Sequence, residues 1–101
     1  MQKTLSIEDE QIQDMTLIVK AMAHPVRLGV LLALDEYGAL SVKDMCEMLE
    51  VEQSLLSHYL SQMRQARMID ARRQGKHIYY VMTFKNFKKL FGVIQKHSKI
   101  Q

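Results

Sequence analysis

The chain is poor in the residues that mark several classes of protein. Its 101 residues include one cysteine, one proline and no tryptophan, and aromatic residues make up 7%. A single cysteine excludes an internal disulfide and a zinc site of several cysteines, and it fits a reducing compartment. No apolar run reaches the length of a membrane span, and no signal-peptide pattern is present. We therefore expect a cytoplasmic protein without membrane association.

Repeats and low-complexity linkers are also missing, so we expect one domain over residues 1–101. Apolar residues make up 48% of the chain, which argues against disorder. A chain of this length buries only a modest core. Small domains often gain further burial by dimerising, so self-association is expected.

The modest net charge of +3 hides an asymmetry along the chain. Residues 1–52 carry ten acidic and four basic residues, a balance of −6, whereas residues 53–101 carry ten basic residues and one acidic residue, a balance of +9. A polyanionic partner would therefore meet the second half. Charge alone does not single out nucleic acid, because basic surfaces also bind acidic proteins and membranes.

The spacing of apolar residues predicts a mainly α fold with one β-hairpin, in the order α-α-α-α-β-β-α. The first helix is predicted at 8–22 with Ser6 as its N-cap, and the second runs from Pro25 to about Tyr37. The third and fourth helices form a helix-turn-helix over 41–67, in which Ser41 caps the third helix and the fourth begins near Gln53. Strands at 68–73 and 77–82 make a wing over 68–82, and a last helix spans 83–97. The predicted core positions include Leu28, Leu31, Leu32 and Leu34 in the second helix and Leu55, Leu56, Tyr59, Leu60 and Met63 in the fourth.

The outer face of the fourth helix is polar and carries no acidic residue. Its members are Gln53, Ser54, Ser57, His58 and Ser61. Glutamine makes paired hydrogen bonds to adenine, serine contacts several bases, and histidine donates to a base or a phosphate. This helix is therefore the candidate for entering the major groove of double-stranded DNA, and an ordinary solvated surface is the alternative.

Basic residues crowd the hairpin and the end of the fourth helix. They are Arg72, Arg73, Lys76 and His77 in the hairpin and Arg64 and Arg67 at the helix end. Such residues suit phosphate contacts, and an arginine at a hairpin tip can enter the minor groove. The alternative is that charge protects an exposed edge strand from aggregation.

Together these segments resemble the ArsR/SmtB family of bacterial winged-helix repressors, over about residues 12–95. The resemblance lies in KAMAHPVRLGVLLAL (20–34), in the segment 40–82 and in the closing helix, with Arg27, Ser54, Ser57, Leu60, Arg73, Gly75 and Tyr80 on family positions. It implies a homodimeric, sequence-specific DNA-binding repressor whose first and last helices, 8–22 and 83–97, form the dimer. Tyr59 replaces a usual histidine, and Arg67 replaces a usual glycine, from which we expect a different backbone path at that position.

Members of that family commonly respond to a metal ion or an oxidant. The family's thiol pair would lie near Val42–Met45 and is missing, and the last helix offers only His97. We therefore expect no metal ion and no cofactor, and the residues identify no inducer. Cys46 lies on an apolar helix face, which favours a small buried side chain over a redox switch.

Two other functions remain open at the level of sequence. A winged-helix domain that has lost DNA readout can serve as a protein-interaction module. An enzyme is disfavoured, because the sequence offers no nucleophile–base pair at readable spacing, no glycine-rich phosphate loop and no cluster of metal ligands.

Overall fold

The structure is a computed structural model, and it describes residues 5–99. These residues form five helices and three strands: α1 (Glu10–Met22), α2 (Pro25–Tyr37), β1 (Ala39–Ser41), α3 (Val42–Leu49), α4 (Gln53–Gln65), β2 (Ile69–Gln74), β3 (His77–Met82) and α5 (Phe87–Ser98). The mainly α fold and the hairpin are confirmed, while the predicted element order lacked β1.

The missing strand, β1, changes how the hairpin is anchored. It pairs antiparallel with β3, with Ala39 opposite Val81 and Leu40 opposite Tyr80, and gives the sheet order β1-β3-β2. The strand was not predicted because three residues are too few to show an alternating pattern. In addition, Ser41 is both the last residue of β1 and the N-cap of α3. Because β3 is the central strand, the base of the wing is attached directly to the start of the helix-turn-helix.

Most helix ends follow the predicted capping signals. The α2 helix starts at Pro25 and stops at Gly38, whose φ of 86° suits glycine. Ser41 and Asp44 form the predicted capping box of α3. The prediction for α1 was wrong by two residues, since Asp9, and not Ser6, accepts from the N–H of Gln11 at the start of the helix.

The segment between β3 and α5 is not helical, contrary to the predicted start of the last helix at residue 83. The N–H groups of Thr83 and Phe84 both donate to the carbonyl of Met68, at 2.9 and 3.2 Å. These bonds pin the chain to the beginning of β2, and α5 begins only after Asn86, which has a φ of 64°. The first strand, predicted at 68–73, likewise lies one residue later.

The core lies between α2, α3, α4 and the base of the sheet. Its fully buried members are Val30, Leu31 and Leu34 of α2, Met45 of α3, and Leu56, Leu60 and Met63 of α4, with Met68 and Ile69 beside them. Two predicted core positions were wrong: Leu32 is 37% exposed and Leu55 is 44% exposed. Both lie at the margin of a helical stripe, one residue from a fully buried leucine.

The first and last helices present apolar side chains to solvent. They include Met15, Leu17, Ile18 and Val19 of α1 and Leu90, Val93 and Ile94 of α5. Between these helices and α2 lies an apolar groove of about 200 Å³, lined by residues that include Val19, Met22, Leu28, Phe91 and Ile94. No residue of α1 is fully buried. Contiguous exposed apolar faces often mark sites of protein association.

Residues 5–99 contain no single helix that is both long enough and apolar enough to span a membrane. The successive helices α1 and α2 reach the required length and composition only together, and they are bent by 82° where they meet.

Arg67 takes the left-handed backbone conformation, with a φ of 60°. The expectation that this residue would follow a different path from glycine was therefore wrong. The Met68 N–H donates to the carbonyl of Met63, and the Thr83 hydroxyl donates to the carbonyl of Arg67, so the turn is held from both sides. The conformation costs an L-residue about 1–2 kcal/mol relative to its right-handed counterpart.

Replacing Arg67 by glycine should therefore stabilise the fold by about 0.5–1 kcal/mol, after allowing for the more flexible unfolded chain. Equilibrium urea unfolding at fixed protein concentration measures this change. The matched control is Gln65→Gly in the last turn of α4, which should destabilise by about 0.5–1 kcal/mol because glycine is a poor helix former. Equal destabilisation by both substitutions would contradict the strain at Arg67.

Candidate nucleic-acid interface

The α4 helix, called the reading helix below, is held by one apolar face. Leu56, Leu60 and Met63 are 0%, 1% and 0% exposed, and they pack against the core residues of α2 and α3. This packing fixes the rotation of the helix about its axis. The opposite face is therefore presented outward over about 20 Å of helix.

All five predicted contact residues on the reading helix lie on this outward face. Gln53, Ser54, Ser57, His58 and Ser61 are each exposed. Their hydroxyl, amide and imidazole groups offer both donors and acceptors to a partner. The geometry thus brings the predicted polar set together on one side.

His58 is oriented by a residue that the sequence analysis missed. The amide nitrogen of Gln62 lies 3.3 Å from His58 Nε2, and the amide oxygen of Gln62 accepts from Arg27 Nη1 at 2.9 Å. This chain of contacts links the outward histidine to the start of α2. The i, i+4 spacing of His58 and Gln62 on a helix was the available signal.

An acidic side chain, Glu52, lies at the start of the reading helix and was also missed. Its carboxylate accepts from the Ser54 N–H at 3.1 Å and from the Ser54 hydroxyl at 2.6 Å and 2.8 Å. The hydrogen bonds from Ser54 hold the pKa of Glu52 below its usual value of 4.5. The carboxylate is therefore ionised at neutral pH. Its contribution to the free energy of unfolding is present above the usual pKa of 4.5 and is lost as the pH falls from there through the lowered pKa of the folded state. The Ser54 hydroxyl proton is already donated to Glu52, so Ser54 cannot donate it to a partner.

The wing carries its basic residues on both faces of the hairpin. Arg72 lies opposite Tyr79, and Arg73 lies opposite Ile78. Since successive strand residues point to opposite faces, the two arginines diverge. Gln74 pairs with His77, and the turn is made by Gly75, with a φ of 62°, and Lys76. The basic wing residues Arg72, Arg73, Lys76 and His77 are all exposed, so the tip is a wedge with charge on either side.

Arg64 and Arg67 lie at the other end of the hairpin from its tip. Arg64 is 3.6 Å from Asp70, with both side chains about half exposed, so part of its charge is already compensated. Asp70 is the second residue of β2, next to the end of the strand that joins the helix. These two arginines are therefore grouped with the base of the wing and not with Arg72, Arg73 and Lys76.

Potential sensor groups are dispersed. Over residues 5–99, no three histidine, cysteine, aspartate or glutamate side chains converge in a way that could hold a metal ion. Cys46 is partly buried and packs against the core cluster as its neighbours on α3 do. This placement agrees with the interpretation of Cys46 as a small apolar side chain. The preference for that role over a redox switch stays a prediction.

Comparison with known proteins gives a consistent family. The model of the family described as "Bacterial regulatory protein, arsR family" matches residues 24–71, which run from the cap of α2 into β2. The transcriptional repressor PagR of Bacillus anthracis is 35% identical over 94% of this chain and 92% of its own. Its crystal structure has a TM-score of 0.73 at 30% identity, over 83% of this chain and 95% of that one.

Two further solved structures share the fold. NolR from Sinorhizobium fredii has a TM-score of 0.82 at 27% identity and covers 95% of both chains. A homodimeric winged helix-turn-helix DNA-binding domain from Mycobacterium bovis has a TM-score of 0.78 at 21% identity, over 97% of this chain and 90% of that one. At 21% identity, the likeness of the Mycobacterium bovis domain concerns the fold alone.

The fold and the exposed reading helix define a winged helix-turn-helix regulator that binds DNA. The chain belongs to the ArsR family of bacterial regulatory proteins. The match extends beyond the helix-turn-helix, since PagR aligns with nearly the whole chain.

We expect the carboxylate of Glu52 to weaken DNA binding, because a negative charge at the start of the candidate reading helix would repel a nearby phosphate. We expect Glu52→Gln to raise the affinity for random-sequence duplex about twofold to fivefold at low salt, as expected for one nearby charge in water. Fluorescence anisotropy measures this change. The control Glu36→Gln, in the last turn of α2, removes the same charge away from the reading helix. An equal gain from the control would assign the effect to net charge.

Proposed function

We propose that this chain is a homodimeric transcriptional repressor that recognises a specific sequence of double-stranded DNA. The reading helix of each subunit enters a major groove, where Gln53, Ser57, His58 and Ser61 face the base edges. Ser54 contributes its acceptor lone pairs, because its proton is held by Glu52. The basic wing residues Arg72, Arg73, Lys76 and His77 contact the neighbouring phosphates.

The observation that carries this proposal is the division of α4 into a buried apolar face and an exposed polar face. Leu56, Leu60 and Met63 fix the helix. The outward groups are supplied by Gln53, Ser54, Ser57, His58 and Ser61. The wing extends from the end of the same helix through β2, so its base is tied to the reading helix. A named repressor, PagR, aligns with 94% of the chain and supports repression as the outcome.

Arg64 and Arg67 have a secondary role in this proposal. Their position at the base of the wing, and the pairing of Arg64 with Asp70, suit support of the hairpin and long-range attraction of DNA. Contacts to phosphate are assigned first to Arg72, Arg73 and Lys76. Under this proposal the chain acts in the cytoplasm and catalyses no reaction, since binding alone blocks transcription.

Dimerisation is proposed through α1 and α5. Both helices expose apolar residues along the groove that contains Val19 and Ile94, which are 58% and 49% exposed. A second copy of the chain would cover this face and would place two reading helices on one side of the duplex. The half-sites should then repeat at about one helical turn or a multiple of it.

Charge reversal of the wing tests the phosphate contacts. We expect Arg72→Glu/Arg73→Glu/Lys76→Glu to lower the affinity for DNA at least about 100-fold. The slope of log affinity against log salt should become less steep by about 2–3, since each lost phosphate contact removes about 0.9. Gel shifts with genomic fragments, including the protein's own promoter, measure both quantities.

The matched control is Lys85→Glu/Lys89→Glu/Lys99→Glu, which changes the net charge equally on exposed positions in and around α5. It should retain a steep salt dependence. Equal losses in the two variants would show that net charge, and not the wing, governs binding. Absence of DNA binding by the unsubstituted protein would favour the protein-interaction module.

Disruption of the groove tests the dimer. We expect Val19→Glu/Ile94→Glu to convert a dimer to a monomer, because two carboxylates would be buried at the interface. Sedimentation velocity measures the change, and circular dichroism verifies that each chain remains helical. The control Tyr37→Glu alters another exposed apolar residue, 58% exposed at the end of α2, and should leave the dimer intact. A dimer that survives the double substitution would place the interface elsewhere.

A further inference from the structure

A cluster of four side chains joins the junction of α1 and α2 to the buried side of the reading helix. Tyr59 Oη lies 2.9 Å from His24 Nε2, and the two rings are 4.5 Å apart. Arg27 lies over the Tyr59 ring at 5.2 Å and donates to Gln62 and to the carbonyl of Lys20. The cluster therefore touches α1, α2 and α4 at once.

The ring of His24 has a defined role at each nitrogen. His24 is the N-cap of α2, and its Nδ1 accepts from the N–H of Val26 at 3.1 Å. An accepting Nδ1 carries no proton, so the neutral ring bears its proton on Nε2. The Nε2–H group then donates to the hydroxyl oxygen of Tyr59. The same neutral tautomer thus caps α2 and holds α4.

Protonation of the ring is incompatible with this arrangement. A second proton on Nδ1 would point at the N–H of Val26 and remove the cap. It would also place a positive charge at the positive end of the α2 dipole, where the first turn carries no acidic residue to offset it. Tyr59 of α4 faces His24, and the same Tyr59 ring is contacted by Arg27 of α2 at 5.2 Å and by His58 of α4 at 5.8 Å between the rings. Lys20 of α1 contributes its carbonyl to Arg27.

The environment of the Arg27 guanidinium depends on the position of the Tyr59 ring. Its Nε is buried and has no hydrogen-bond partner among residues 5–99. The two Nη groups of that guanidinium donate to Gln62 and to the carbonyl of Lys20, and its third neighbour is the π-face of Tyr59 at 5.2 Å. A Tyr59 ring released by His24 would therefore disturb Arg27, and with it the hydrogen bond by which Arg27 holds Gln62 of α4.

We propose that His24 and Tyr59 are positioning residues for DNA binding, and that neutral His24 holds the reading helix in the orientation that DNA requires. Protonation of His24 releases Tyr59 and weakens binding. The proposal rests on α4 being the helix that contacts DNA. It assigns the effect to the contact between α2 and α4, behind the interface, and not to a group on the DNA-facing surface.

The test compares pH profiles of DNA affinity at constant ionic strength. The candidate interface also contains His58 and His77, and a positive charge on either would strengthen binding to phosphate, which is the opposite sign. All variants are therefore made in a His58→Asn/His77→Asn background, and only slopes within that background are compared. With His24 present, affinity should fall as the pH is lowered, by about fivefold in total, as expected for the loss of one hydrogen bond.

Two substitutions separate positioning from folding. His24→Asn keeps a capping side chain but lacks the second ring nitrogen, and Tyr59→Phe keeps the ring over Arg27 but lacks the hydroxyl. Each should lower the affinity about fivefold at pH 8 and abolish the pH slope, and the double variant should be no worse than either. Loss of thermal stability with an unchanged affinity and pH slope would overturn the proposal.

One measurement is independent of DNA. Long-range proton–nitrogen NMR spectra of the free protein should show the Nε2–H tautomer for His24 near pH 8, and Tyr59→Phe should perturb its Nε2 resonance. A ring protonated at Nδ1 at that pH would contradict the structure of the cluster. Failure of DNA binding together with the expected tautomer would instead count against the proposed role of α4.

Discussion

The packing of Leu56, Leu60 and Met63 beneath the reading helix is the contact on which the interface depends. Burial of each such side chain contributes roughly 1.5–3 kcal/mol, whereas a typical hydrogen bond contributes about 1 kcal/mol net. The apolar face therefore decides which way α4 is turned, and the polar network around Tyr59 adjusts a helix that is already placed. A rotation of α4 would bury the serines and expose the leucines, so outward readout and core stability are coupled.

Periodicity was enough to predict the reading helix, its polar face and the hairpin, because burial on one side imposes a repeat that is visible in the chain. It could not predict β1, whose three residues carry no repeat of their own and are ordered by Val81 and Tyr80 of β3. The start of α5 was wrong for a similar reason. Thr83 and Phe84 are held by the distant carbonyl of Met68, a contact that local propensity does not encode.

The candidate site was predicted in part. The exposure of Gln53, Ser57 and His58 follows from a helical wheel. The engagement of Ser54 by Glu52 does not, because a carboxylate just before a helix can equally point into solvent. The contacts among His24, Tyr59 and Arg27 join positions up to 35 residues apart and depend on how α2 crosses α4. The left-handed Arg67 shows that the tertiary contacts around a turn can override the preference of one residue.

Attraction and selection are assigned to different elements of this surface. The wing bears positive charge on both faces of a narrow hairpin, which suits close approach to the phosphates on either side of a groove. The outward face of the reading helix presents the uncharged side chains of Gln53, Ser57 and Ser61, and the helix begins with a carboxylate that already accepts from the Ser54 N–H. The start of α4 therefore attracts a phosphate only weakly. A base edge that binds there has to displace water from the polar side chains, and it does not have to displace a bound phosphate. Under the proposed function, the wing would supply affinity for any duplex while the helix discriminates among sequences, because loss of a matched base contact would not be masked by a charge beside it.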